Sequence, residues 1–597
     1  MKKSKLFLGA LSLLAFAACS DDKTNEPVNP VNDGAKAYVK VSVMTTSPGS
    51  RAEEPDGTDF EDGTKTPVDE NTINSVLLVF YDVNRKYIGD VLLSKDDITM
   101  KDGNPDVPEQ NVERYGTSVA EVSLGGIEPK YMMAFANPIS TANIKQDIDA
   151  VKLQIRKAYR DNDNKGFFTM NNSVYFDTEG NIHRQVPVSA DQIFSSKEEA
   201  ATATGDNVIK VWLERMAGKV TLSGAANDNS IADREGKLDS KNLKFVVEGW
   251  GLNATAKQMY LSKIYNMDIA QSYPSLNNLL SSFYWNDPTR HRSYWAFSPD
   301  YAKPDNNTGV DFPYVSDQVT DNSKFNYVSF NSILSGENHN LPGATVYTLE
   351  NTVNSAFYQK SCDYRNSALV AAVVVGHYEV EGAQQTFFVR NDRIYLEEDF
   401  KKEMANIAGG YLIDKDNNAL NSENYSDQLF NIVHPDKPVS GDESKGVQEN
   451  RVTVELSSVA DANAAGILYK ADENTDAVEI TEANFEAVNQ KIYEICGLSY
   501  EYKNGYAYFN IPIQHLGKTP VNAETVSAGS YGIVRNHHYN ITVTDWAPLS
   551  FATLGTGVHD PDEPIVPPTD PSDKIAVKAE MRVLTWRLVP QSVILGE

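Results

Sequence analysis

The chain has 597 residues, longer than one typical core, and this length predicts two or more domains. Its 54 Lys and Arg stand against 82 Asp and Glu, a formal net charge of −28. That balance argues against nucleic acid and anionic lipid as partners, because both select basic patches, and it suits a self-repelling surface protein.

The first residues form a targeting segment and are set apart from the fold. Lys2, Lys3 and Lys5 precede an apolar run from Leu6 to Ala18. The run is shorter than the roughly 20 residues a membrane-spanning helix requires. It ends in Ala17-Ala18-Cys19, small residues before a cysteine, with Phe16 where this motif usually has Leu. The pattern predicts a lipoprotein signal over residues 1–18, with cleavage before an acylated Cys19; an ordinary secretory signal with a chance cysteine is the alternative. Each buried acyl CH₂ contributes about 0.8 kcal/mol of anchoring. Besides Cys19 only Cys362 and Cys496 remain. They either pair or serve as small buried hydrophobes; two cysteines make no disulfide framework.

Residues 20–35 are polar and rich in Pro, Asn and Asp, in the manner of a tether. Val39, Val41 and Val43 then alternate with Lys40 and Ser42, the pattern of a half-buried strand. Ser47-Pro48-Gly49-Ser50-Arg51-Ala52 ends it, and an acidic, aperiodic stretch follows to Lys65. Arg51 in such a segment is an accessible protease site. Strands are expected over Ile73–Tyr81, Val119–Leu124, Tyr131–Ala136, Val208–Leu222, Leu243–Val247 and Met259–Ile264. In the second half they are expected over Ala368–Val375, Tyr378–Val380, Gln385–Val389, Arg393–Leu396, Arg451–Leu456, Tyr506–Ile513 and His538–Val543. Helical spacing is confined to Val151–Arg160, Leu396–Ile407 and Thr481–Glu494. Many short strands between turn signals predict an all-β chain of β-sandwiches.

The expected division is a lipidated propeptide with a removable strand over 19–51, sandwich domains over 52–300 and 301–558, and a Pro-rich linker over 559–574. The final piece, 575–597, is a strand. There Ile575, Val577, Ala579, Met581 and Val583 alternate with Ala576, Lys578, Glu580, Arg582 and Leu584, and Trp586 and Leu588 follow. Two cleanly alternating strands thus lie at opposite ends of the chain, one before Arg51 and one beyond a stiff linker. Unpaired strands of this kind invite edge-to-edge association. Either each completes its own sheet, or cutting after Arg51 frees the first and the C-terminal strand of another copy fills the vacated groove. About five buried apolar side chains would contribute on the order of 10 kcal/mol. Ile575–Leu588 would span more than about 40 Å, and a head-to-tail contact that does not close makes a filament.

Chemical motifs are absent or broken. There is no H-E-x-x-H or G-x-S-x-G. Gly517-Lys518-Thr519 has Pro512 where a phosphate loop has Gly. Asp414, Asp416 and Asn418 begin like a calcium loop, but Ala419 and Tyr425 replace its Gly and bidentate Glu, so a turn is expected. His377 and Glu379 share a strand face as a surface pair. Trp285, Tyr294 and Trp295 read as core aromatics, with sugar stacking the alternative. His515, Arg535, His537 and His538 cluster in sequence; Arg535 and Asn536 are expected to satisfy backbone groups inside a sandwich. No catalytic residue, metal ligand or cofactor is predicted, and the chain reads as a non-enzyme.

Several segments resemble the fimbrillin family of pilins, most closely the Mfa-type major subunits of short fimbriae. They are the lipoprotein start with Gly49-Ser50-Arg51-Ala52, L-E-R-M-A-G-K-V at Leu213–Val220, and Y-T-L-E-N-T at Tyr347–Thr352. Y-A-Y-F-N-I-P-I-Q-H at Tyr506–His515, G-S-Y-G-I-V-R-N-H-H-Y-N-I-T-V at Gly529–Val543, the P-D-E-P-I-V-P-P-T linker and the V-L-T-W strand complete the series. Ser20-Asp21-Asp22 is similar to the acidic tag that sends lipoproteins of anaerobic gut and oral Gram-negative bacteria to the outer face of the outer membrane. The resemblance implies two transthyretin-like sandwiches, a gingipain-like Arg-specific protease acting between Arg51 and Ala52, and loss of the strand holding Val39, Val41 and Val43. It also implies a donor strand carrying Ile575, Val577, Ala579, Met581, Val583, Trp586 and Leu588. The implied partners are copies of the chain and anchor and tip subunits; the implied location is a fimbrium, reached through an outer-membrane lipoprotein precursor. Having both a cleavable strand and a donor strand favours a shaft subunit.

Overall fold

The computed structural model describes residues 36–46, 70–102, 112–176, 182–224, 234–263, 298–311, 325–352, 369–434, 451–513, 532–546, 562–565, 577–584 and 590–593, with short gaps inside several of these stretches. Strands dominate, as the alternating patterns predict.

The first sheet has nine strands: β1 (Lys36–Thr46), β2 (Ser75–Tyr81), β3 (Tyr87–Ser94), β4 (Lys101–Asp102), β5 (Val112–Ser123), β6 (Tyr131–Ala136), β7 (Met170–Asn172), β8 (Val186–Pro187) and β9 (Ile209–Arg215). Their order is β3-β2-β6-β7-β9-β1-β5-β4, with β8 paired to β6. The nearly continuous apolar run of β2 is explained by burial on both faces. Val76, Leu78 and Phe80 join the core that holds β1. Leu77, Val79 and Tyr81 pack on Met133, Phe135, Ile148 and Leu261 on the other side. Asp82 closes the β2 turn by accepting from the amides of Asn84 and Lys86, each at 2.8 Å. At Gly89 in β3 a side chain would collide with the carbonyl oxygen of Ser123 at the end of β5, so the two outer parts of the sheet approach each other around the core.

Pairing changes partners at Met216. Strand β9 before it belongs to the first sheet; β10 (Ala217–Gly224) after it lies between β11 (Thr345–Leu349) and β12 (His538–Trp546). Beyond β12 come β13 (Val577–Leu584) and β14 (Pro590–Val593), giving the order β11-β10-β12-β13-β14. The facing sheet contains Arg234–Leu238, Lys241–Asn253, Ala371–Val380 and Ala383–Gln384, with Tyr506–Pro512 also paired to Ala371–Val380. Between them Val220, Leu222, Tyr539 and Ile541 share a core with Phe245, Trp250, Val374 and Phe509. The expected domain boundary at residue 300 lies outside the described residues.

A third sheet carries the helices. It runs Arg393–Tyr395, Phe387–Arg390, Ser499–Tyr502, Arg451–Leu456, Phe430–Val433. After the short α1 (Lys197–Thr202) of the N-terminal region, α2 (Glu397–Ala408) and α3 (Phe485–Cys496) fall where helical spacing predicts them. Phe400, Met404 and Ala408 on one, and Val488, Ile492 and Cys496 on the other, recur at four-residue spacing. Both stripes pack into one core with Val452 and Val454.

The helix expected over Val151–Arg160 does not form. Only Ile148–Val151 is helical, and Ile155–Arg156 pairs with Met259–Tyr260. Its stripe is broken: Val151 is buried and Tyr159 packs on the core, but Ile155 between them is 39% exposed. Arg160 instead lies over the rings of Phe168 and Tyr347, 3.8 and 4.5 Å from their centroids.

Gly376 sits mid-strand where an added Cβ would collide with the Val246 carbonyl oxygen and the Phe245 ring. Gly376→Ala is expected to cost about 3 kcal/mol through overpacking, read as a lower midpoint in urea unfolding; wild-type stability would refute the close approach.

Candidate functional site

The strand that the sequence marks as removable is an interior strand. Val39, Val41 and Val43 have no exposed surface, and Ala37 and Met44 are buried with them. Along its whole length β1 pairs antiparallel with β5, from Lys36 opposite Ser123 to Thr46 opposite Val112. On its other edge Val41–Thr45 pair parallel with Ile209–Leu213 of β9. Where β9 does not reach, other groups take the edge. Tyr38 and Phe194 exchange backbone hydrogen bonds at 2.9 and 2.8 Å. Lys40 Nζ donates to the carbonyls of Ala201 and Ala203 at 3.0 and 2.8 Å, at the C-terminal end of α1. Carbonyls there lack helical partners and carry partial negative charge, so an ammonium is the fitting cap.

The solvent-facing side of β1 is held by Glu121 of β5. Lys36 Nζ lies 2.6 Å from its Oε1, and Tyr38 Oη donates to its Oε2 at 3.1 Å. The hydrogen bonds from Lys36 and Tyr38 hold the Glu121 carboxyl below the usual carboxylate range. The bond to Glu121 raises the Lys36 ammonium and Tyr38 phenol in turn. Taken out, β1 would leave a slot walled by β5 on one side and by β9, Phe194 and α1 on the other.

The slot abuts a buried polar network at the junction of the sheets. Lys219 Nζ lies 3.2 Å from Glu70 Oε1, with neither side chain more than 1% exposed. Arg215, at the end of β9, donates to the Glu70 carbonyl at 3.0 Å, to Asn536 Oδ1 at 3.0 Å, and to Asn71 Oδ1. Tyr347 donates to Glu70; burial, with the charge of Glu70 added, pushes its phenol far up. Arg535 pairs with Glu350 at 3.0 Å and donates to the carbonyls of Tyr260 and Leu261 at 2.7 and 3.1 Å. Lys263 lies 3.2 Å from Glu214, and burial pulls its ammonium pKa down. Arg535 and Asn536 therefore act on interior polar groups, as the sequence predicts, and His537 Nδ1 meets the Arg535 carbonyl at 2.9 Å.

Other candidates separate. His377 contacts Glu248 at 2.7 Å and Glu379 at 4.0 Å. Asp414 forms the expected turn, accepting from the amides of Asp416 and Asn418 at 2.9 and 2.8 Å. Burial pushes the Cys496 thiol up to about 12, and its Sγ lies 3.8 Å from the Met404 carbonyl. In the C-terminal segment, Val577, Ala579, Met581 and Val583 fall on β13, antiparallel to β12 of the same chain, from Val577 opposite Trp546 to Leu584 opposite His538. Cys19, Arg51, Ala52, Trp285, Tyr294, Trp295, Cys362, His515, Ile575, Trp586 and Leu588 lie outside the described residues. The sequence reading missed Glu70, Lys219, Lys263 and Glu350 as network members; charged residues inside otherwise apolar strand runs, as in Leu213–Val220, were the available signal.

Residues 500–591 match the family model described as major fimbrial subunit protein type IV, fimbrillin, C-terminal. Among solved structures, the chain is similar to a fimbrilin (FimA) from Porphyromonas gingivalis at 12% identity, covering 95% of this chain and 100% of that one, with a TM-score of 0.32. It is similar to the tip fimbrial protein Mfa3 of the same organism, in a C-terminally truncated form, at 10% identity, covering 92% and 100%, with a TM-score of 0.31. A fimbrial assembly protein from Parabacteroides distasonis is similar at 10% identity, covering 60% and 85%, with a TM-score of 0.25. Comparison with curated proteins finds no match.

Two outcomes follow. Glu350→Ala leaves Arg535 buried without its carboxylate and is expected to cost about 3–5 kcal/mol, measured by urea unfolding. Because the Glu121 pKa is depressed, its hold on β1 is fully present above its ordinary value of 4.5 and lost as pH falls through the lower folded value. The protection factors of β1 amides, with exchange rates corrected for the intrinsic slowing of amide exchange in acid, should therefore fall on acidification, and Glu121→Gln should flatten that dependence.

Proposed function

We propose that this chain, which belongs to the fimbrillin family through its residues 500–591, is a structural shaft subunit of a cell-surface fimbria. It is exported as a lipoprotein acylated at Cys19, cut between Arg51 and Ala52 by an Arg-specific protease, and polymerised by insertion of the segment Ile575–Leu588 into the next copy. It has no enzymatic role and supports adhesion and colonisation, with other fimbrial subunits capping or anchoring the filament.

One observation carries this reading: the segment upstream of Arg51 supplies an interior strand rather than an edge strand. Once the chain is cut beyond Thr46, β1 is held only by noncovalent contacts. Its loss exposes the apolar core around Val76, Leu78 and Val122 and two unpaired strand edges. A surface of that kind must be refilled. Two sandwiches, the linker 559–574 and the donor strand 575–597 belong to the same proposal; Ala217–Gly224 and Lys241–Asn253 pair within the second sandwich. In the uncut chain Val577–Leu584 lies on β12, and donation requires it to leave that position.

The test is direct. Treating the purified precursor with an Arg-specific protease should yield filaments by electron microscopy and release the peptide ending at Arg51. Arg51→Ala, or deletion of 575–597, should leave monomers. A cut chain that stays monomeric would defeat the proposal.

A further inference from the structure

The two end strands share an apolar alternation and lysines at two matching places, and the lysines set a register. Lys36-Ala37-Tyr38-Val39-Lys40-Val41-Ser42-Val43-Met44-Thr45-Thr46 can be laid in the same direction on Lys574-Ile575-Ala576-Val577-Lys578-Ala579-Glu580-Met581-Arg582-Val583-Leu584. Lysine falls on lysine at 36/574 and 40/578, and valine on valine at 39/577. The inward positions 37, 39, 41 and 43 meet Ile575, Val577, Ala579 and Met581, all apolar. From this, and resting on the strand-insertion reading above, we infer that Lys574–Leu584 of a second copy occupies the β1 slot position for position, parallel to β9 and antiparallel to β5. In that register Lys578 replaces Lys40 as the cap on the Ala201 and Ala203 carbonyls.

Apolar alternation alone leaves shifts of two residues open, because it fixes only which face points inward. The slot's polar groups remove that freedom. In the proposed register Lys578 meets the α1 carbonyls and Lys574 takes the place of Lys36 beside Glu121. A shift of two in one direction sets Ala576 against the carbonyls; in the other it sets Glu580 there, a carboxylate against the negative end of a helix. Reversing the strand about Ala579 also delivers Glu580 to that point.

The remaining positions fit as well. Ser42 is in register with Lys210 of β9 and Thr117 of β5. Glu580 in its place brings a carboxylate to Lys210, a cross-strand pair that Ser42 does not make. Val43 lies opposite Gly116, which leaves room for the longer Met581, while Ala579 is smaller than Val41. The register is least comfortable at Arg582, which replaces the buried Met44 between Tyr115 and Trp212; its apolar stem covers the aromatic surface and its guanidinium must reach past it to water.

The test is cysteine cross-linking in protease-treated full-length chain carrying Cys362→Ser and Cys496→Ala. Thr117→Cys is combined in turn with Lys578→Cys, Glu580→Cys or Arg582→Cys, and boiled, non-reduced samples are run on a denaturing gel. The 117/580 pair should give an intermolecular ladder at least tenfold stronger than the other two. A ladder strongest at 578 or 582, or filaments with no ladder at all, overturns the register while strand insertion stands. No filaments from the cysteine-free parent, together with none from the unsubstituted chain, overturns strand insertion itself. Should a cysteine variant fail to fold, filament growth by light scattering decides. Lys578→Glu should slow growth at least tenfold and Lys578→Arg less than twofold; equal rates for the two overturn the capping role.

Discussion

An interior β-strand must satisfy backbone groups on both edges and side chains on at least one face, because a buried, unpaired peptide group costs as much as a lost hydrogen bond. In this protein that demand falls on residues 36–46. They stand between β5 and β9, and five of their side chains, Ala37, Val39, Val41, Val43 and Met44, complete the core that β2, β5, β6 and β9 also line. The first sheet cannot close without a strand in this place. On the proposed reading, which strand fills it is a separate matter, because the slot would read shape, alternation and a few charges rather than covalent continuity.

The buried ionic network gives the slot a wall that does not depend on its occupant. Arg215 ends β9 and grips Glu70, Asn71 and Asn536, none of which belongs to β1. Glu70 is in turn fixed by Lys219 of β10. Four cations (Arg215, Lys219, Lys263 and Arg535) surround three carboxylates (Glu70, Glu214 and Glu350) in nearly complete burial. Buried charges of this kind are costly to assemble and weak as a source of net stability, but breaking one partner is severe. Their effect is geometric: the first sheet, the second sandwich and the chain leading out of residues 52–69 meet in one fixed arrangement.

Alternation made most of this legible. The phase of Val39, Val41 and Val43 identified a half-buried strand, and the apolar run of β2 a strand, since both signals are local; that β2 is buried on both faces emerged only from the fold. The two long helices were readable from four-residue spacing. The same spacing misled at Val151–Arg160, because Ile155 faces solvent and pairs as a short strand with Tyr260 while Val151 and Tyr159 reach the core without a helix between them. The parallel β1–β9 pairing and the change of sheet at Met216 were not legible, being settled by contacts between residues far apart in sequence. The network was half visible: Arg535 and Asn536 drew attention by clustering, whereas Glu70 and Glu350 look like ordinary surface acids until their partners are placed. The kinship of Lys36–Thr46 and Lys574–Leu584 was present in the sequence but acquires meaning only once Lys40 is found capping α1.

That kinship also bears on why the uncut chain would hold its own strand. Both segments would present lysines at the same two places and apolar side chains at the same four inward positions, so on the proposed reading the tether weighs on which one fills the slot. While residues 47–69 connect β1 to β2, β1 faces its slot at an effective concentration on the order of millimolar, far above that of any second copy. The C-terminal segment meanwhile finds partners in cis between β12 and β14, which keeps its alternating edge from free association. A cut within 47–69 removes the tether without changing a single contact of the slot. On the strand-insertion proposal the occupant is then chosen by mass action, and a linker that carries Lys574–Leu584 to a neighbour would make the folded chain a link of a polymer.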